Sequence, residues 1–309
     1  MNPLVSLVIV NWNRRDYLSE CLNSIRKQDY SPLEVIIVDN HSSDGSQEMI
    51  TSEFPEYILI RLPDSSYGAC EAFNIGFANT HGEFIGILDN DVELTREWVS
   101  CIIGKFKKED DATAIISTKV IEPDMPDWYL QSSHLCKERY IDTFAGCGSL
   151  ARAKILHENG YYDEKFFIHA NERDLSLRLI SQGYKILHYP NVITYHKKPF
   201  GIHQGNVRLY YFLRNAIWVV VKHYTMKEAV LALVSQVKEN LQTGKSTTGD
   251  EYLIVGTIGI RDAVLREKGG IKTAIRAVFD GLTGVPHYVK YRYSPKKIQH
   301  QSITLKKGR

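Results

Sequence analysis

The sequence predicts an α/β protein: a doubly wound, mostly parallel sheet followed by a helical C-terminal extension. Three observations predict it. Short β-branched runs alternate four times with helix-length stretches between Val5 and Asp91. The connections between them are short, which favours parallel strands with right-handed crossovers. The alternation stops after about Val120, and from Asn206 to about Leu282 the pattern is helical.

Val5–Val10 is a near-continuous β-branched run, the mark of a strand covered on both faces. A helix is expected from about Arg15 to Lys27, with Leu18, Cys21, Leu22 and Ile25 on one stripe. Leu33–Val38 is the second strand, and the loop after it is rich in capping residues, so Ser43 or Asp44 starts the next helix. Tyr57–Leu62 is the third strand and Gly68–Asn79 a helix. Phe84–Leu88 is a fourth, buried strand led in by Gly82. A helix from about Arg96 to Lys107 and a strand over Thr113–Val120 follow. Glu122–Tyr140 reads as an irregular loop, and ordered loops of this length are often functional. Beyond it are expected a helix near Arg152–Glu158, a helix over Asn171–Ser181, and short strands at Lys185–His188 and Val192–His196.

Composition narrows the class. Hydrophobic residues make up 43% and charged residues 24% of the 309 residues, the balance of an ordinary globular protein. A net charge of +2 does not indicate a nucleic-acid binder. The C-terminal stretch from Val285 to Arg309 is uneven, with seven Lys or Arg and no Asp or Glu. It reads either as a solvated end or as a contact with anionic lipid. Five scattered cysteines without a C-x-x-C pair suggest reduced thiols in the cytoplasm. The start carries no signal-peptide pattern, and Ala216–Val221 is far too short to span a bilayer.

The candidate site is organised around the strand that ends in Asp89-Asn90-Asp91. Acids at alternate positions of an extended chain point the same way, so Asp89 and Asp91 can share a divalent cation that holds a diphosphate. Asp-Asn-Asp is equally good turn chemistry. Asn11, Asp39 and Asp89 end three parallel strands, so all three should line one crevice. Asp39 can accept from a base or ribose, or cap its own loop. Gly68 can open a helix start to a phosphate, or be a plain turn. Gly146-x-Gly148-x-x-Ala151 matches a dinucleotide fingerprint but lies outside any first βα turn, so close backbone packing is the better reading. Small residues at Gly146, Cys147 and Gly148, with Trp128 of the long loop, are expected on the acceptor side. Glu172 and Asp174 open a helix, where acids complement the macrodipole; an acid facing the cation across a crevice could also be a general base. His196, ending the last strand, would complete an O/N ligand set suited to Mn²⁺ or Mg²⁺. Arg214 could bind phosphate or pair with an internal acid.

Together these segments resemble the family 2 glycosyltransferases, whose nucleotide-sugar-binding α/β fold is called GT-A. The resemblance rests on Val8-Ile9-Val10-Asn11-Trp12-Asn13, Val38-Asp39-Asn40 with Ser43-Asp44-Gly45-Ser46, Gly68–Gly76, Leu88-Asp89-Asn90-Asp91, Asn171–Arg178 and His196, and covers about Val5–Asn215. It implies an inverting transferase using a UDP- or dTDP-linked sugar and Mn²⁺ or Mg²⁺. Carried over by position, Val10, Asn11, Asn13, Asp39, Gly68, Asn74, Asp89 and Asn90 would bind the nucleotide sugar. Asp91 and His196 would hold the metal, with Asp89 as a further ligand. The family's base lies in Glu-Asp-x-Asp-Leu. This chain reads Asn171-Glu172-Arg173-Asp174-Leu175, so Glu172 takes the base position with one methylene more, and Asp174 is the fallback.

Residues 1–215 are expected to form the catalytic domain, with a donor half to about residue 120 and an acceptor half beyond it. Residues 216–309 form the extension with its basic tail. That extension resembles the helical tails of surface-polysaccharide transferases, rhamnosyltransferase-like members included. A stripe of Leu231, Leu233, Val234, Val237 and Leu241 would pack on the catalytic domain, on a sister chain in a homodimer, or on the cytoplasmic face of a membrane near a lipid-linked acceptor. The expected partners are thus a nucleoside-diphosphate sugar and a glycan or lipid-linked acceptor, with no nucleic acid. Two other classes are weighed. A nucleotidyltransferase would need a Gly-rich phosphate loop that Val10–Arg14 lacks. A non-catalytic sugar-nucleotide- or glycan-binding protein is compatible with the altered Asn171-Glu172 pair.

Overall fold

The computed structural model describes residues 1–198, 205–225, 227–228, 264–265 and 267–290. Side-chain alternation within the strands sorts the core into two layers. In β1 (Val5–Asn11), Leu7 and Ile9 join Val35 and Ile37 of β2 (Leu33–Asp39) on one face of the sheet. Val8 joins Ile36 and Val38 on the other. All seven are at most 4% exposed, which is why these strands read as unbroken apolar runs.

The first layer is closed by α1 (Arg15–Arg26), α2 (Ser46–Glu53) and α4 (Trp98–Phe106). The second is closed by α3 (Ala69–Ala78), α7 (Ala153–Asn159) and α8 (Asn171–Ser181). Each fully buried Leu, Ile or Phe in these layers contributes roughly 1.5–3 kcal/mol. Gly76 lets α3 lie directly on β1, since a Cβ there would stand 2.3 Å from Val8 Cγ1.

The remaining strands are β3 (Ile58–Arg61), β4 (Phe84–Asp89), β5 (Val92–Leu94), β6 (Thr113–Ile121), β7 (Arg139–Tyr140), β8 (Ser149–Arg152) and β9 (Lys185–His196). They form one nine-stranded sheet of order β3-β2-β1-β4-β8-β6-β9-β5, with β7 on β9. From β3 to β4 every pairing is parallel, and the order reverses at the β1/β4 boundary, where such sheets bind ligands. Beyond β4 the sheet is mixed: β8 enters antiparallel between β4 and β6, and β5 lies antiparallel on β9.

Three local expectations are corrected. Ser149–Arg152 is a strand rather than a lead into a helix; its four residues are too few to show a period, and both neighbours bury it. Lys185–His196 is one strand rather than two, because its pairing with β6 jumps from Tyr189 to Ile193, a bulge that accommodates Pro190. The loop Glu122–Tyr140 contains two short helices, α5 (Asp127–Leu130) and α6 (Ser133–Cys136), besides β7.

In the C-terminal region, α9 (Asn206–His223) runs through residue 215, the expected end of the catalytic domain, and α10 (Gly270–Lys290) packs on it. Gly281 and Gly284 of α10 face Ile217 and Trp218, where a Cβ would clash at 2.6 Å and 2.4 Å. The stripe from Leu231 to Leu241 and the tail after Lys290 lie outside the described residues. All five cysteines are free thiols. Among the described residues, no helix is long and apolar enough to cross a membrane.

Candidate active site

Strand register assembles the site. Asn11 pairs with Asp39 and Val10 with Asp89, so the carboxyl ends of β1, β2 and β4 meet at one edge. There Asn11, fully buried, donates through Nδ2 to Asp39 Oδ2 at 2.8 Å and accepts from Asn90 Nδ2 at 2.7 Å. Asp39 Oδ1 accepts from Ser42 N at 2.8 Å and Gln47 Nε2 at 2.7 Å. The wholly buried Asp39 carboxylate thus ties its own loop and α2 through Oδ1 and the end of β1 through Oδ2.

Two further pairings bring chemistry to the end of β4. Ile87 pairs antiparallel with Ser149, so the residues just before β8 pass beside Asp89, and Cys147 is among them. Val92 pairs with His196, and Ile121 with Tyr195, so His196 sits between Asp91 and Glu122. His196 Nε2 lies 3.0 Å from Asp91 Oδ1 and 3.6 Å from Asp89 Oδ2, and its Nδ1 donates to Glu122 Oε1 at 2.7 Å. Ligand atoms of Asp89, Cys147 and His196 all lie within 4.8 Å of one another. Carboxylate, imidazole and thiol at this separation form a donor set able to hold a divalent cation. Asp91 joins it through its hydrogen bond to His196.

Burial works against charge on His196, but Cys147, Asp91 and Glu122 outweigh it and hold the imidazole well above its ordinary range. Burial also lifts Asp91, yet the hydrogen bond and charge of His196 bring it below the usual carboxylate range. Asp89 is raised by desolvation between the crevice walls and by the neighbouring charge of Asp91, although His196 opposes this. Arg208, at the start of α9, is lowered by burial while Asp89, Glu122 and Asp91 pull it back up, so it faces the same acids. Lys198 adds positive charge toward Asp89 and Glu172.

Glu172 sits in the first turn of α8. Its Oε1 lies 2.3 Å from where a Cβ on Gly146 would stand, so the carboxyl occupies the space that the glycine leaves open. Desolvation pushes it up to about 7, helped by the charge of Asp89. The approach to Glu172 is strained: Phe167, His169 and Ala170 have φ of 65°, 68° and 61°. Asn215 holds this segment, donating through Nδ2 to the carbonyls of Phe166, Ile168 and His169 at 3.0, 2.8 and 2.8 Å. Arg214 binds the carbonyls of Lys165 and Phe166 at 2.9 and 3.0 Å, which corrects the phosphate or acid partner expected for it. Asp174 is a structural anchor, accepting from His223 Nε2 at 2.7 Å and pairing with Lys222 at 2.9 Å.

Other expected residues fall elsewhere. Gly68 packs against Phe167, where a Cβ would meet the Phe167 carbonyl at 2.9 Å, and that carbonyl accepts from Cys70 N, so the glycine serves close packing. Asn74 clamps the segment before α8: Nδ2 donates to Tyr162 O at 2.9 Å and Oδ1 accepts from Tyr162 N at 3.0 Å. Asn13, with φ of 50°, bonds Ser43 N through Oδ1 and Ser42 Oγ through its own N–H. Val10 is half-buried beside the second core layer. Gly148 packs against Thr194 and Thr118, and Gly146 against Glu172, the close packing that their spacing predicts. Cys147 lies beside Asp89 and His196, in the group able to hold a cation. Trp128 is half-exposed on α5, edge-on to Tyr129. Sequence reasoning missed Glu122, Asn215, Lys198 and Arg208. Only Glu122, the acid just after a predicted strand, carried a usable signal.

The model of "Glycosyl transferase family 2" matches residues 6–172, more than half of the chain. The "Probable glycosyltransferase YdaM" of Bacillus subtilis is 25% identical over 218 residues, covering 64% of this chain and 51% of its own. "Glycosyltransferase GlyG" of Streptococcus pneumoniae is 32% identical over 118 residues, 38% of this chain and 39% of its own. The chain therefore spans about half or less of these relatives. Among solved structures, S. aureus TarS 1-349 in complex with UDP-GlcNAc superposes with a TM-score of 0.62 at 17% identity, over 92% of this chain and 82% of that one. The mannosyltransferase PcManGT of Pyrobaculum calidifontis in complex with GDP-Man and Mn²⁺ superposes with a TM-score of 0.59 at 16% identity, over 94% and 84%. These two show the same GT-A fold. With its parallel β3-β2-β1-β4 strands, its Asp-Asn-Asp strand end and the extent of the family match, this chain belongs to glycosyl transferase family 2.

Proposed function

We propose that the protein transfers a sugar from a nucleoside-diphosphate sugar, UDP- or dTDP-linked, to a hydroxyl of a glycan or lipid-linked acceptor, with inversion. The observation that carries this reading is the placement of Glu172. Its carboxyl lies against Gly146, one residue from the Asp89–Cys147–His196 cluster, and burial brings it to about 7, where a general base works best. Glu172 takes the proton of the acceptor hydroxyl as that oxygen attacks the anomeric carbon from the face opposite the diphosphate. A single displacement of this kind inverts the centre.

Asp89, Asp91, His196 and Cys147 would hold a divalent cation, Mn²⁺ or Mg²⁺, which neutralises charge growing on the leaving diphosphate. Lys198 and Arg208 add positive charge on the same side. Asn11, Asp39 and Asn90 build the wall for the nucleoside, Asp39 by rigidifying its loop. The donor half is then residues 1 to about 120 and the acceptor half about 121–215, with α9 buttressing the base through Asn215.

The acceptor side carries a second argument. On α10, Ile271, Ile275, Phe279 and Leu282 are 58–67% exposed and fall on one face, with Lys272, Arg276 and Lys290 along its edge. That supports peripheral contact with an anionic membrane, on the cytoplasmic side, where a lipid-linked acceptor would lie. The rival reading, a non-catalytic sugar-nucleotide-binding protein, draws on Asn171 standing where the family has an acid. Nucleotide release from UDP- and dTDP-sugars with mixed acceptors separates the two. The transferase reading requires acceptor-dependent release that Glu172→Gln abolishes while calorimetric donor binding is kept; equal release by the variant would remove Glu172 from the reaction.

A further inference from the structure

The cation site contains a sulfur that the sequence pattern had placed elsewhere. Cys147 precedes β8, and the antiparallel pairing of β8 with β4 carries it to the end of β4 beside Asp89. From the other side β9 delivers His196, and the three ligand atoms lie within 4.8 Å of one another. The imidazole is already oriented for a metal. Its Nδ1–H is held by Glu122 Oε1 at 2.7 Å, which leaves Nε2 facing Asp91 and Asp89. A carboxylate behind a ligating histidine is the arrangement that fixes its tautomer and raises its basicity. Cys147 and His196 are both buried, so bulk water competes poorly for the site.

We propose that Cys147 is a direct ligand of the cation and sets its class. A donor set that mixes the carboxylates of Asp89 and Asp91 with the nitrogen of His196 and the sulfur of Cys147 prefers borderline cations such as Zn²⁺ and Co²⁺ over hard, oxygen-seeking Mg²⁺. On binding, the Cys147 thiol and the His196 Nε2–H each give a proton to solvent, and the sulfur enters the coordination shell as thiolate beside the neutral imidazole; no electron moves. Glu122 acts as a positioning residue through His196. Zn²⁺ then competes with Mn²⁺ for the crevice, so the enzyme's metal response is set by a residue outside the Asp-x-Asp pair. The inference rests on the reading of this crevice as the cation site.

The test uses the full-length, metal-free protein carrying Cys101→Ser and Cys136→Ser, so that the two exposed thiols contribute nothing. Co²⁺ titration is expected to give a near-ultraviolet thiolate-to-cobalt charge-transfer band that Cys147→Ser removes. Competition calorimetry is expected to show Zn²⁺ affinity falling at least about tenfold in Cys147→Ser, with Mn²⁺ affinity little changed. Glu122→Gln should weaken Zn²⁺ as well while keeping the charge-transfer band, which a purely structural role would not produce. Thermal melting without metal, with Cys147→Ala as a second variant, establishes that the variants fold. A cobalt spectrum without the band, or Zn²⁺ affinity indifferent to Cys147, overturns the proposal alone. If the parent protein binds no Mn²⁺, Co²⁺ or Zn²⁺ at all, the crevice reading falls with it.

Discussion

The Glu172 carboxyl fills the space that Gly146 leaves empty: Oε1 stands 2.3 Å from the position of a Cβ on that glycine. A methyl group there must displace the carboxyl or the turn that carries Cys147. Gly146→Ala should therefore lower turnover about a hundredfold or more, since a shift near 1 Å of a reacting group has that effect. Donor binding should persist. Kinetics that match the parent would mean that the carboxyl's position is irrelevant to the reaction.

Glu172 also carries a pH signature. Its folded-state pKa of about 7 is above the ordinary 4.5, so the folded protein holds a proton that the unfolded chain releases between those values. Stability contributed by this site is present below about 4.5 and is lost as pH rises through about 7. Glu172→Gln should accordingly stabilise the protein at pH 8, by about 3 kcal/mol, and give no gain at pH 4. Urea titrations at the two pH values measure the difference. A variant less stable than the parent at pH 8 would contradict the desolvation of the Glu172 carboxylate.

In the same range, kcat/KM should rise with pH through an apparent pKa near 7, because only the ionised carboxylate accepts a proton. A parent profile flat between pH 6 and 8 would remove the Glu172 carboxylate as the proton acceptor.

Asp91→Ala removes the carboxylate that bonds His196 at 3.0 Å and with it one negative charge of the proposed cation site. Calorimetric titration with nucleotide plus Mn²⁺ should show donor binding that no longer responds to the metal. Undiminished metal dependence would place the cation elsewhere.

Asn215→Ala leaves the carbonyls of Phe166, Ile168 and His169 without their shared donor, beside three residues in left-handed conformation. A loss of about 2–3 kcal/mol is expected, together with reduced kcat, because the segment that positions Glu172 relaxes. Loss of stability with kcat intact would confine Asn215 to folding.

Much of the donor half was legible in the residues. Val5–Val10, Leu33–Val38 and Phe84–Leu88 are apolar runs whose composition already demands cover on both faces, and Asp89, Asp91 and His196 stand where strands run out. At Asn74, Gly68 and Asn13 the sequence leaves more open, because a polar or small residue near a crevice looks the same whether it meets a ligand or a neighbouring backbone. Tyr162, Phe167 and Ser43 turned out to be those neighbours.

The sequence by itself determined the strand and helix alternation, the edge of the sheet at which acids gather, and Glu172 as the candidate base, because periodicity and chain order are local properties. Only the tertiary structure decided that Cys147 faces Asp89, that Glu122 stands behind His196, and that Asn215 holds the base segment. Each depends on a non-local pairing: β8 reversed between β4 and β6, β9 beside β6, α9 against the turn before α8. Their partners lie tens of residues apart in the chain, and no local pattern of apolar and polar residues encodes which distant strand or helix end will be adjacent.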